Sequence, residues 1–256
     1  MPTSSASDIR NRSLRLAGLI QRSLLRGRCP QCQFTDMAVR YVPYESVGGD
    51  FYDFTLAGPG FPGFLIGDVS GHGVYAALVT AWVLGYVRNV KEEHPQPARL
   101  VAELRSLMAE LAANPDAESL FCTAFYGIYN PTARVLTYCN AGHPTPLVID
   151  RSGKQPTFLQ SQCVLIGALP DVQCAGQERG TNIRPGDRLV LYTDGITEAF
   201  NANGEQWGSE RLAGSVTETR HLPAEQAADI ILDTVQRFSQ PAGFRDDVTL
   251  ILIDFP

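Results

Sequence analysis

Four aspartates stand where an apolar, strand-like run meets a turn: Asp50 in VGGDFYDF, Asp68 in FLIGDVSGHG, Asp194 in VLYTDGITEA and Asp246 in FRDDVTLILI. Carboxylates brought together repel, by about 4 kcal/mol for unit charges ~4 Å apart at a protein-like dielectric, so a converging set needs protons or cations. An oxygen-only donor set favours hard ions such as magnesium, manganese or calcium, whereas zinc and copper sites usually recruit His or Cys. Two such ions about 3.5–4 Å apart can activate a hydroxide and steady an in-line displacement at phosphorus, which makes phosphoester hydrolysis the chemistry expected. One Asp beside a Gly reads as a turn residue; the joint occurrence of all four carries the reading.

The elements around them are short. Met37, Val39 and Tyr41 alternate with other residues as in a strand, and further strands are expected over Phe51–Leu56 and Phe64–Val69. Helices are expected over residues 73–92 and 97–113, separated by Pro95 and Pro97. A β-rich stretch follows at 120–129, 134–140 and 146–150, turning at Asn130-Pro131 and Gly142-His143-Pro144. Strands around 172–183 and 187–193, helices around 208–219 and 224–239 and a final strand over Val248–Ile253 complete the chain. Strands and helices arriving in blocks indicate an α+β fold with largely antiparallel sheets.

With 256 residues, 44% hydrophobic and 19% charged, the chain suffices for one large core. We expect a helical appendage over residues 1–30 and a catalytic domain over 31–256. In the appendage Leu16, Leu19, Ile20 and Leu24 share a helical face, with Arg10, Arg12, Arg15, Arg22 and Arg26 elsewhere on the helix. An Arg-rich, Ser-rich start fits either an organellar transit peptide or a packed or dimerising helix.

The formal charge of −6 argues against nucleic acid or an anionic membrane as partner, and no apolar run reaches a membrane span. Among the six cysteines only Cys29 and Cys32 have ligand spacing. Cys122, Cys139, Cys163 and Cys174 read mostly as buried thiols, consistent with a reducing cytoplasm.

In order, VGGDFYDF, GDVSGHG, NAGHPTPL, PGDRLVLYTDGITEA and RDDVTLILI resemble the metal-dependent PPM-type protein phosphatases. The resemblance runs over residues 36–254 and is to the bacterial branch that includes sporulation stage II protein E and the stress sigma-factor phosphatases. It implies a sandwich of two antiparallel β-sheets flanked by helices on both sides. It also implies a site for two Mg2+ or Mn2+ ions, with a third left open, and a phosphoserine or phosphothreonine protein as substrate, typically of anti-anti-sigma type. By the same resemblance Asp68 bridges the ions, the Val69 carbonyl is a further ligand, Asp194 and Asp246 bind the second ion, and Asp50 holds metal-bound water. Asp247 and Thr249 support the final loop from behind the ligands.

Two departures stand out. The phosphate-gripping Arg of animal-type members is replaced by the stretch Pro43-Tyr44-Glu45-Ser46, leaving Arg245 or backbone amides to help hold phosphate. Where those members have a His after the Asp-Gly pair this chain has Ser70, so the general acid is left open between His72, which reads otherwise as a residue of the loop before a helix, and a metal-bound or bulk water. His143 and Asn140 are expected to serve the turn they sit in. The helix before the domain is expected to mediate homodimerisation or control by an activator protein. Rival readings are a non-catalytic, partner-binding pseudophosphatase and, from the GGDFY match alone, a diguanylate cyclase.

Overall fold

The computed structural model describes residues 6–25, 36–58, 60–90, 96–112, 120–153, 156–161, 163–167 and 177–256. The Cys29–Cys32 pair and Cys174 lie outside them. Helix α1 (Ala6–Leu24) precedes strands β1 (Asp36–Val42), β2 (Asp50–Leu56) and β3 (Pro62–Val69). Helices α2 (Val74–Val90) and α3 (Pro97–Ala112) follow, then β4 (Cys122–Asn130), β5 (Val135–Ala141), β6 (Leu147–Ile149), β7 (Pro156–Phe158), β8 (Arg179–Asn182) and β9 (Arg188–Tyr192). The chain ends with α4 (Asp194–Thr197), α5 (Gly208–Glu218), α6 (Ala224–Phe238) and β10 (Val248–Asp254).

Two five-stranded antiparallel sheets, ordered β1-β10-β9-β6-β7 and β2-β3-β4-β5-β8, pack face to face. Helices α2 and α3 cover the outside of the second sheet, while α5 and α6 cover the first. The expected α+β sandwich is therefore the observed one.

Strand parity explains the packing, because successive side chains point to opposite faces. On β10, Val248, Leu250 and Leu252 turn outward to Ile231 and Val235 of α6, while Ile251 and Ile253 enter the inter-sheet core. Both faces are buried, so VTLILI reads as a continuous apolar run. Phe54, Phe64 and Phe255 close the far end of the sandwich, with ring centroids 6.4 Å apart at each contact.

Helix α1 exposes most of its apolar stripe. Leu16, Leu19 and Ile20 are 51%, 58% and 64% exposed, and the face laid on the domain instead carries Gly18, Gln21 and Leu25. The reason is distance: a Cβ at Gly18 would lie 2.1 Å from the Ser46 carbonyl oxygen, so only a small residue permits this approach. The cysteine reading holds in part. Cys122 and Cys139 are free and buried, but Cys163 is disulfide-bonded.

Candidate metal centre

Asp50 begins β2 and Asp68 lies near the end of β3, and the register sets them directly opposite each other. They share a face with Phe54 and Phe64, which turns towards the other sheet. In that other sheet β9 pairs with β10, Tyr192 opposite Leu250, so Asp194 just after β9 and Asp246 just before β10 emerge at the same end. Four motifs far apart in sequence thus meet at one edge of the sandwich.

Asp50 spans the gap. Its carboxylate is 1% exposed and its Oδ2 accepts hydrogen bonds from Thr193 Oγ1 at 2.8 Å and Thr249 Oγ1 at 2.6 Å. Both threonines occupy inward positions on strands whose other inward residues are Leu189, Leu191, Ile251 and Ile253. Thr193 escaped the sequence reading. The signal for it was a hydroxyl residue at inward parity immediately before a candidate ligand.

The electrostatics are those of crowded acids. Burial, then the charges of Asp50, Asp194, Asp246 and Asp247, push the Asp68 carboxyl up to about 9. Burial also holds Asp50 well above the usual carboxylate range, with the Thr249 bond opposing, and raises Asp194 to about 6 with help from Asp246 and Glu198. Among the described residues no lysine or arginine forms an ion pair with any of the four.

Main-chain oxygens join the cluster. A Cβ at Gly49 would fall 2.5 Å from the Val69 carbonyl oxygen, 2.9 Å from Asp68 Oδ1 and 3.2 Å from the Gly71 carbonyl oxygen, so a side chain there would fill the space these oxygens face. At Gly195 a Cβ would meet the Asp247 carbonyl oxygen at 2.0 Å, which lets the Asp194 turn press against the final loop. Among the described residues no three acidic, His or Cys side chains close into a finished cage. The donor chemistry nevertheless fits hard divalent ions: carboxylates and carbonyls, with like charges awaiting neutralisation.

Supporting contacts follow. Asp247, expected to support the final loop, reaches across to the first motif, its Oδ1 and Oδ2 accepting from Tyr44 N–H at 2.8 Å and Gly49 N–H at 2.6 Å. His72 sits on the rim, with its Nδ1 3.3 Å from Glu45 Oε1 and its ring edge-on to Tyr44. Arg245 lies over the Phe200 ring, 5.4 Å from its centroid.

His143 is buried and held neutral, its pKa lowered to about 3 by burial, with Nδ1 2.9 Å from Thr123 Oγ1. Asn140 clamps the His143 backbone, donating to its carbonyl at 3.1 Å and accepting from its N–H at 2.9 Å. Both are turn-building residues. Beside Asp194 opens a cleft of ≈ 700 Å³, lined in part by Thr197, Glu198, Gln206 and Glu210.

Residues 60–256 match the Stage II sporulation protein E (SpoIIE) family. The chain belongs to that family, a bacterial branch of the PPM-type phosphatases. It is 28% identical over 244 residues to phosphoserine phosphatase RsbU of Bacillus subtilis (strain 168), covering 94% of this chain and 69% of RsbU. Among solved structures, the SiaA PP2C domain of Pseudomonas aeruginosa superposes with a TM-score of 0.84 at 24% identity, over 99% of this chain and 100% of that one. The catalytic domain of serine threonine protein phosphatase PstP, solved with two manganese ions, gives a TM-score of 0.61 at 14% identity, over 85% of this chain and 96% of that one. These structural likenesses establish the fold.

Proposed function

We propose that this serine/threonine phosphatase uses two Mg2+ or Mn2+ ions, held by Asp50 (through bound water), Asp68, the Val69 carbonyl, Asp194 and Asp246, to hydrolyse phosphoserine or phosphothreonine in a regulatory protein. The observation that carries the reading is the meeting of Asp50, Asp68, Asp194 and Asp246 at one end of the sandwich, where burial and mutual charge leave them in need of cations. Such ions supply a water of lowered pKa and neutralise charge developing on phosphate.

The chain's own contributions are positional. Thr193 and Thr249 fix one oxygen of Asp50 and leave Oδ1 to orient water. Glycine 49 keeps the floor of the site open. His72, an exposed side chain with Nδ1 3.3 Å from Glu45 Oε1, is taken as the candidate donor of a proton to the leaving alkoxide. That the relative RsbU is named a phosphoserine phosphatase supports the substrate class, and an anti-anti-sigma type of substrate follows from the resemblance of the motifs.

Asp68→Ala and Asp194→Ala are each expected to abolish manganese-dependent hydrolysis of an aryl phosphate in protein that stays folded. Activity retained in both refutes the assignment. Calorimetric titration with manganese separates it from a pseudophosphatase, which binds no tight pair of ions.

We also propose that helix α1, within the appendage over residues 1–30, is a contact helix beside the catalytic domain, pairing with a second copy or an activator. Its support is the exposed apolar stripe Leu16, Leu19 and Ile20. Light scattering on the chain shortened to residue 30 onward tests this; unchanged mass and activity refute it.

No helix among the described residues is long and apolar enough to cross a membrane. A cytoplasmic setting is proposed on the free core thiols Cys122 and Cys139, against which the disulfide at Cys163 counts. Thiol trapping of Cys163 in intact cells decides it.

A further inference from the structure

The dipeptide Gly48-Gly49, which leads directly into Asp50, has every backbone polar group held from outside its own strand. Gly49 N–H donates to Asp247 Oδ2 at 2.6 Å, and the Gly49 carbonyl accepts from Thr80 Oγ1 at 2.9 Å and from Val69 N–H at 3.2 Å. Gly48 is held by a single side chain. Gln21 of α1 accepts from Gly48 N–H at 3.0 Å and donates to the Gly48 carbonyl at 2.6 Å.

Gln21 is 4% exposed, so its amide has left water to make these two bonds, and a buried amide left unpaired is costly. Other helix residues that face the domain, Gly18 and Leu25, cannot replace them. A second tie seats the same helix: Arg88 of α2 donates to the Leu24 carbonyl and, at 2.7 Å, to the buried Asp53 on β2. Helix α1 is thereby pinned at both Gly48 and Leu24.

We propose that Gln21 is a positioning residue for the metal centre: by fixing Gly48 it sets where Gly49 and Asp50 lie against Asp68 and the Val69 carbonyl, and hence the affinity for divalent ions. The inference rests on the proposed metal-dependent function. Gly49 approaches the Val69, Asp68 and Gly71 oxygens so closely that no Cβ fits. A displacement of a few tenths of an ångström at Gly48 therefore passes straight into the ligand oxygens, since packed backbone has no slack to absorb it.

The test is manganese titration by calorimetry on the full chain, after chelator treatment, for wild type, Gln21→Leu, Gln21→Glu and the control Arg12→Ala, an exposed position of the same helix outside its apolar stripe. Melting temperature in EDTA is measured alongside. Gln21→Leu keeps the bulk and loses both bonds; Gln21→Glu keeps only an acceptor for Gly48 N–H.

Manganese affinity lowered threefold or more in a folded Gln21 variant, with Arg12→Ala unchanged, supports the proposal. A rise in the manganese concentration giving half-maximal activity, at constant KM for the aryl phosphate, is expected with it. Affinity changed less than threefold overturns the proposal, as does failure of both Gln21 variants to fold, because Gln21 would then hold the domain and not the site. If wild type itself binds no manganese, the metal-dependent function fails instead.

Discussion

Asp68→Asn is expected to stabilise the chelated protein near neutral pH while destroying its response to manganese. In the folded chain the Asp68 carboxyl is pushed up from 3.8 to about 9, by burial first and by its acidic neighbours second. Its folded pKa lies above its unfolded one, so its contribution to stability is fully present below about pH 4 and is lost as pH rises through about 9. Between pH 6 and 8 the folded state keeps a proton that the unfolded state has released. The slope is then at most about 1.4 kcal/mol per pH unit, or roughly 2–3 kcal/mol across the window.

For a domain of this size that amounts to a fall of about 5–10 °C in Tm. Asp50, raised in the same direction, adds to it. The assay is differential scanning calorimetry in EDTA at several pH values, repeated in saturating manganese. Wild type in EDTA should melt lower as pH rises, and manganese should cancel the trend because it binds the deprotonated acids. Asp68→Asn should lose about one proton's worth of the slope and show no manganese shift. A wild-type Tm constant from pH 6 to 8 in EDTA, or an equal slope in the variant, refutes the electrostatic account.

Thr249→Val removes a 2.6 Å hydroxyl donor from a buried carboxylate and is expected to cost about 1.5–3 kcal/mol, read by urea unfolding in manganese. Gly195→Ala places a methyl 2.0 Å from the Asp247 carbonyl oxygen, so the backbone must move; activity is expected to fall at least about tenfold. Phe255→Ala empties the aromatic contact with Phe64 and Tyr129 and is expected to cost about 3–5 kcal/mol without changing manganese affinity.

Most strands were legible because their residues alternate or run apolar between turns, and the final strand was found to within a residue of its end. Helices α5 and α6 likewise matched to within a residue at each boundary. The strand β7 and the short helix α4 were not anticipated: three and four residues are too few to show a period.

The acids proposed for the metal site announced themselves through their neighbours in sequence. Among their braces Gln21 and Thr193 did not, and Thr249 was expected as a support of the final loop without its bond to Asp50. Gln21 lies 27 positions from Gly48 and Thr249 lies 199 from Asp50, separations that only the folded backbone closes. At α1 periodicity gave the apolar stripe but not the direction in which it faces. Close approach to the Ser46 carbonyl favoured Gly18, and hydrophobicity alone carries no information on how near two backbones come.

Asp50 belongs to one sheet and takes its two hydroxyl partners from the other, so the acid cluster works as a seam between the halves of the sandwich. A cation drawn into such a seam fastens both halves, and because it binds only the assembled form it stabilises the whole molecule by mass action. The protein's lifetime against proteases should thus rise and fall with free divalent ion, and its abundance, as well as its turnover, would report the ionic state around it.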